Sequence, residues 1–263
     1  MLSLGLILVS LLAVVGGLLL PEFIRAPAVS IGNLQGTALV LGIVTLPVLM
    51  ASMVLVQRTP VALVFWLGAL GSIAYQSVLF LFGVSFNSFF FLYVAMLSLS
   101  VWSIVALAGR MPIELVSHEI GTHAPVRLVA GYLLVNALLF LILWLGSTLP
   151  PVLANEDPSF LDGTGMLTGP VQIIDLAFTL PLMTLGAVLL LRRRPWGYVL
   201  ASSLLVMLAI ETASIGVDQW MGHAADPSSP AASAALTPVF AVLTVIGLAV
   251  LALFLRRGPG QAD

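Results

Sequence analysis

Ionisable side chains within apolar segments are the residues of this sequence best suited to chemistry. Glu211 lies in a long apolar stretch, and it falls on one helical stripe together with Ser203, Met207, Ser214 and Asp218. A carboxyl group is costly in hydrocarbon and usually faces the protein interior. The stripe therefore predicts that Glu211 turns inward, where it can exchange a proton or bind a cation.

Further polar side chains fall at a comparable depth on other apolar segments. They are Tyr75, Gln76, Asn87, Asn136 and Asp175. We predict that these residues join Glu211 and Ser214 in one polar cavity that opens outward. The alternatives are local: N-capping by Asn87, stabilisation of a helix start near Pro170 by Asp175, and an interfacial aromatic position for Tyr75. Asp218 and His223 are expected in a solvated loop.

The string from His118 to His123 resembles the HExxH zinc motif, in which two histidines four residues apart share one helical face. Here the spacing is five residues, which rotates the second imidazole by about 140° on a regular helix. Gly121 and Pro125 further indicate a loop. We therefore predict no metal site here. The absence of cysteine excludes thiol chemistry, and the absence of lysine excludes a lysine Schiff base.

The composition is that of a membrane protein. The chain of 263 residues is 60% hydrophobic and 8% charged, whereas soluble domains are about 25% charged. A net charge of −2 with dispersed arginines offers no surface for nucleic acid. We expect membrane lipid around the protein, no nucleic acid and no cofactor. The sequence thus predicts one integral membrane domain, residues 1–263, folded as an all-α polytopic bundle.

Eight segments are apolar for about the 20 residues that a spanning helix needs. They run approximately over Leu2–Leu20, Thr37–Val56, Val61–Phe82, Phe89–Ala108, Leu128–Leu149, Val171–Leu191, Trp196–Val217 and Leu236–Leu255. The small residues Ala26-Pro27-Ala28 leave open that the first segment is a cleaved signal peptide, in which case seven spans remain.

The arginines predict the orientation, because short cytoplasmic loops are rich in basic residues. They cluster in the loops after the second, fourth and sixth segments and after the eighth: Arg58, Arg110, Arg127, Arg192 to Arg194, Arg256 and Arg257. We therefore expect both termini in the cytoplasm. The opposite loops are acidic, with Arg25 as an exception. The loops 150–170 and 218–233 are interpreted as turns and as a mobile stretch, respectively. We find no convincing internal repeat.

Several short segments resemble a set of uncharacterised multi-pass membrane proteins of bacteria. They are Phe86-Asn87, Tyr93-Val94, Leu97 to Ser100, Asp175 to Phe178, and Arg192 to Tyr198. The resemblance implies a bacterial inner membrane and carries no activity.

Three functional hypotheses follow. The first is binding or transport of a small solute, cationic or coupled to protons, in the predicted cavity. The second is a non-catalytic interaction or assembly protein whose polar residues only hold helices together, either as a homo-oligomer or with a partner protein. The third is a lipid-modifying enzyme with two carboxylates as acid and base, which requires a nucleophile or metal ligands that the sequence does not reveal.

Overall fold

The fold is an all-α bundle in a computed structural model that describes residues 1–121 and 124–256. Within these ranges, eight helices are long and apolar enough to span a membrane, and a ninth, α5, is short. The helices are α1 (Leu2–Leu19), α2 (Ala28–Leu55), α3 (Ala62–Phe82), α4 (Phe90–Ala108), α5 (Ile113–Gly121), α6 (Val126–Ala154), α7 (Pro170–Leu191), α8 (Pro195–Ala225) and α9 (Ala234–Leu255). The predicted fold class is confirmed.

The polarity of the bundle is that of a membrane-embedded protein. Large apolar side chains are exposed along α1, α6 and α9, where a water-soluble protein would expose polar ones. Serine, threonine and carboxyl side chains are instead buried between helices. This arrangement suits a hydrocarbon environment, because the backbone polar groups are paired within each helix and the exposed side chains are apolar.

The connections between the spans lie at two ends of the bundle. Segments 20–27, 83–89, 155–169 and 226–233 lie at one end, here called the acidic end because it carries most of the loop carboxylates. Segments 56–61, 109–125 and 192–194, together with Arg256, lie at the opposite arginine end. His123 and Arg257, which entered the sequence predictions, lie outside the described residues.

Three span boundaries differ from the sequence predictions. Helix α2 begins at Ala28 rather than Thr37, α8 continues to Ala225 rather than Val217, and α6 continues to Ala154 rather than Leu149. Residues 150–154, interpreted as part of a turn segment, are therefore helical. Hydropathy missed the extensions of α2 and α8 because they contain polar residues and glycine. Asp218 and His223 therefore lie within a helix, and their assignment to a solvated loop is wrong. The stretch after α8, interpreted as mobile, is held by a hydrogen bond of 2.8 Å from the Ser233 N–H to Gln219 Oε1.

The extensions of α2 and α8 pack closely against each other. A Cβ atom on Gly36 would lie 2.6 Å from Asp218 Oδ1, and one on Gly32 would lie 2.6 Å from the Met221 carbonyl oxygen. Glycines four residues apart let two helix backbones approach within the membrane. This crossing positions Asp218 against α2.

The loop predicted around His118 is in part the short helix α5. Its buried residues Val116, Ser117 and Ile120 form one face, and Gly121 lies against the ring of Tyr198. The helix is amphipathic and too short to span a membrane. It connects the first four spans to the last four at the arginine end.

The two halves of the chain share a local feature, although the sequence showed no convincing internal repeat. Helices α2 and α7 each contain a π-helical turn, Leu41–Thr45 and Asp175–Thr179, and a Leu-Pro pair follows both. In each turn the threonine hydroxyl donates to a carbonyl five residues earlier, from Thr45 to Val40 at 3.4 Å and from Thr179 to Ile174 at 3.5 Å. A widened turn before proline accommodates the ring and the missing N–H.

The packing of the helices is also partly shared between the halves. Helices α3 and α8 run side by side in the same direction, with Gly68 against the Ser203 backbone and Gln76 hydrogen-bonded to Glu211. Helix α3 packs on α4 as α8 packs on α9, whereas α2 packs along α8 and α7 meets α3 mainly through its first turn, Pro170–Ile174. The two halves, α1 to α4 and α6 to α9, thus share part of their helix-contact pattern. The sequence does not reveal this pattern because the two halves share only scattered small residues, threonine and proline at helix contacts, and no long stretch of identical residues.

The contact pattern of the two halves differs at one pair of helices. In the first half α1 packs along α4, where a Cβ on Gly16 would lie 2.9 Å from the Phe89 ring and one on Gly5 would lie 3.8 Å from Leu99. In the second half α6 and α9 make few contacts, one of them between Tyr132 and Gly247. Their separation toward the acidic end leaves room for a cavity.

Candidate ligand-binding cavity

A cavity of about 520 Å³ lies among helices α2, α3, α6, α7, α8 and α9. It extends from Met183 and Met207 inside the bundle to Met166 and Pro230 in the connections of the acidic end. Most of its wall is apolar, with aromatic rings from several helices. A cavity of this size and polarity is typical of sites for small organic molecules.

Glu211 contributes the first of three carboxyl groups in the wall. The residue is buried on α8, and its Oε1 accepts a hydrogen bond of 3.3 Å from Gln76 Nε2 on α3. The Ser72 hydroxyl lies beside the same carboxyl group without a hydrogen bond of good geometry. Gln76 itself lies behind the wall, so it holds Glu211 from the protein side.

Asp175 contributes the second carboxyl group and is the first residue of the π-helical turn in α7. Its Oδ2 accepts a hydrogen bond of 2.9 Å from Trp144 Nε1 on α6. Tyr75 and Thr179 adjoin the carboxyl group on other sides. Asp175 does not cap the helix, since it lies beyond the first turn after Pro170 and makes no capping bond. The wider turn places its side chain between two aromatic residues.

Asp218 contributes the third carboxyl group, which sequence reasoning had assigned to a loop. Its Oδ2 accepts a hydrogen bond of 3.1 Å from Thr37 Oγ1 on α2, whereas its Oδ1 is shielded and has no partner. Asn33 Oδ1, also on α2, is likewise shielded and unpaired. The signal that could have found Asp218 was its place on the Glu211 stripe, together with the glycines at positions 32 and 36.

The described part of the wall contains three carboxyl groups and no basic side chain to pair with them. Among the described residues that line the cavity there is no arginine, lysine or histidine. Each carboxyl group has only a neutral hydrogen-bond donor beside it. An ionised carboxylate in such surroundings needs a cation from elsewhere, and a protonated one has a proton to give. The arrangement is therefore chemically suited to a cationic group or to proton exchange.

Four of the seven site residues predicted from the sequence line this cavity: Tyr75, Asn136, Asp175 and Glu211. Asn136 Nδ2 donates to the Tyr132 carbonyl of its own helix at 2.8 Å. Gln76 lies behind the wall. Ser214 is buried outside the wall, with its hydroxyl unpaired.

Asn87 belongs to the start of α4 and not to the cavity. Its Oδ1 accepts a hydrogen bond of 2.9 Å from the Phe89 N–H, and its Nδ2 donates to the Ser85 carbonyl at 3.0 Å. These local bonds are of the kind that asparagine makes before a helix. Asn87 does not line the cavity, and it does not cap the helix either, because the N-cap residue is Phe89 and the Asn87 bonds form a turn just before it.

The part of the chain that the structure describes contains no set of metal ligands. No group of three or more histidine, aspartate or glutamate residues there is arranged to hold a metal ion. The three cavity carboxyl groups are therefore not arranged to bind one metal ion together. His118 lies on α5 at the arginine end, away from the cavity.

No family model matches this chain, and neither a curated protein nor a solved structure matches it. A function must therefore be argued from the chemistry of the cavity.

Proposed function

We propose that the protein binds a small solute in this cavity and transports it across the membrane, with the carboxyl groups recognising positive charge or exchanging protons. The single observation that carries the proposal is the convergence of Asp175, Glu211 and Asp218 on one cavity whose wall has no basic side chain. Groups used only to join helices need no cavity beside them. Ionisable residues that face a cavity within the membrane are characteristic of solute and proton pathways.

The proposal includes an orientation. The arginine end lies in the cytoplasm and the acidic end outside, because basic loops are retained on the cytoplasmic side. Both termini are then cytoplasmic, and the cavity faces outward from a bacterial inner membrane. The contact pattern shared by the two four-span halves supports transport, because internal repeats are known from many transporter folds.

A second candidate is a non-catalytic assembly protein, and one observation favours it. Each carboxyl group accepts a hydrogen bond from a different neighbouring helix, so that the three bonds join α3 to α8, α6 to α7 and α2 to α8. Such bonds between membrane helices contribute about 0.6 kcal/mol on average. In this alternative the carboxyl groups only hold the bundle together.

Proteoliposomes that enclose a pH-sensitive dye distinguish the two candidates. Na⁺, K⁺, choline and ethidium are added outside in turn, and proton movement across the membrane is recorded. We expect at least one cation to drive proton movement through the unmodified protein and none to do so through Glu211→Gln. Glu22→Gln, at an exposed position of the acidic end, is the matched control. Equal responses of the unmodified protein and Glu211→Gln to every cation would reject transport.

A further inference from the structure

The cavity wall restricts the chemical class of the solute. Six aromatic side chains line it: Tyr75, Tyr132, Phe140, Trp144, Phe160 and Phe240. Six leucine and three methionine side chains also line it. A hydrated metal ion or a sugar would leave this apolar wall without a partner, whereas a molecule with an apolar body would bury surface against it.

The position of the polar groups further restricts the class. Asp175 lies between Trp144, which donates a hydrogen bond to it, and Tyr75, so aromatic residues adjoin this carboxyl group on two sides. An anionic lipid headgroup or a fatty acid would face three carboxyl groups without a basic side chain in the wall. A positive charge on the ligand complements this wall.

Two leucine side chains of the cavity wall are also exposed. Leu143 on α6 and Leu236 on α9 both line the cavity, yet they remain 54% and 43% exposed. Helices α6 and α9 also make few contacts, so the space between them is the candidate entrance. The equivalent helices of the first half, α1 and α4, are closely packed, with Gly16 against Phe89. The candidate entrance lies in the second half, where the three carboxyl groups are.

We propose that the ligand is a lipophilic organic cation, an ammonium or phosphonium centre carrying apolar or aromatic groups, which enters from the bilayer between α6 and α9. Its positive centre lies against Asp175, and its apolar groups contact the aromatic wall. The volume of about 520 Å³ fits a drug-sized molecule. This inference rests on the proposed function, since it names the solute of the same site.

Equilibrium binding of radiolabelled tetraphenylphosphonium tests the ligand class. The full chain is placed in lipid nanodiscs, and binding to empty nanodiscs is subtracted. We expect saturable binding that Asp175→Asn weakens by about tenfold, because the amide keeps the Trp144 hydrogen bond but loses the charge. Tetraphenylborate has the same shape and the opposite charge, and tetramethylammonium has the charge without the apolar groups. Both should bind far more weakly.

Unsaturable binding, binding unchanged in Asp175→Asn, or equal binding of tetraphenylborate would overturn the ligand class. If this happens while proton movement in proteoliposomes still requires Glu211, transport stands and only the ligand class fails. If tetraphenylphosphonium binds as expected and proton movement is absent, the ligand class stands and transport fails.

The route of access has its own test. Leu143→Trp places a larger side chain at the candidate entrance and should slow association of tetraphenylphosphonium several-fold. Leu138→Trp is the matched control, since Leu138 is 56% exposed on the same helix and does not line the cavity. Equal association rates for the two variants would reject access between α6 and α9.

Discussion

Gln76 and Glu211 are 135 residues apart in the sequence, and their side chains meet at 3.3 Å between α3 and α8. They occupy equivalent positions of α3 and α8. The amide N–H of Gln76 donates to the carboxyl group of Glu211. The pair thus combines a bond between the two halves with a carboxyl group that faces the cavity.

Exchanging the two residues should separate stability from function. In the double variant Gln76→Glu/Glu211→Gln the hydrogen bond is retained, so the free energy of unfolding should stay within about 1 kcal/mol of the original value. Proton movement in proteoliposomes should be lost, because position 76 lies behind the cavity wall. Gln76→Leu removes the donor and should lower the unfolding free energy by about 1–3 kcal/mol. An exchange variant as unstable as Gln76→Leu would contradict the equivalence.

The crossing of α2 and α8 should be intolerant of any side chain at its glycines. Gly36→Ala would place a Cβ 2.6 Å from Asp218 Oδ1 and should lower the unfolding free energy by about 1–3 kcal/mol. Gly146→Ala on α6 is the control, because a Cβ there meets nothing within 4 Å. Thermal unfolding in detergent measures both. A neutral Gly36→Ala would show that the helices do not approach closely.

Trp144 should stabilise the protein through its indole N–H as well as through its ring. Trp144→Phe keeps an aromatic ring near Phe140 but leaves Asp175 Oδ2 without that donor, which should cost about 1–3 kcal/mol. Trp102→Phe, at an exposed position of α4, should change stability by less than about 0.5 kcal/mol. Chemical unfolding of the two variants gives the comparison, and equal losses would argue against the bond to Asp175.

The orientation can be tested directly, because the chain has no native cysteine. An impermeant thiol reagent should label Ser159→Cys, in an exposed connection of the acidic end, on intact cells. Gln57→Cys, exposed at the arginine end, keeps every arginine and should be labelled only after the membrane is opened. The reverse pattern would place the acidic end in the cytoplasm.

Hydropathy predicted all eight spans because the cost of unpaired backbone groups in hydrocarbon imposes long apolar helices. It failed at Ala28 and at Ala225, where helices continue through glycine and polar residues that face each other rather than lipid. Glycines 32 and 36, four residues apart, were the available signal for this hidden helical segment. Such helix boundaries depend on contacts between helices, which the average hydropathy of a segment does not report.

The site was predicted in part for the same reason. Periodicity placed Glu211 on an inward stripe, since it reports which face of a single helix is polar. Periodicity gave no information on the hydrogen-bond partners of the carboxyl groups. Trp144 was therefore interpreted as an apolar residue and Thr37 as the start of a span. Which side chain meets Asp175 or Asp218 depends on how six helices pack. Asn87 shows the converse, a polar residue fully used by its own helix start.

The number of spans in each half has a consequence for how such a chain is built. Four spans return the chain to the side of the membrane from which it started, so a second copy fused in tandem inserts in the same orientation without an added span. An odd number would have demanded either an extra helix or a copy able to insert both ways. The two halves then need only a connection at that same side, and helix α5 provides it by linking Ala108 to Val126 along one end of the bundle. Two separate genes encoding residues 1–121 and 122–263 should therefore yield fragments that insert independently and reassemble along α3 and α8.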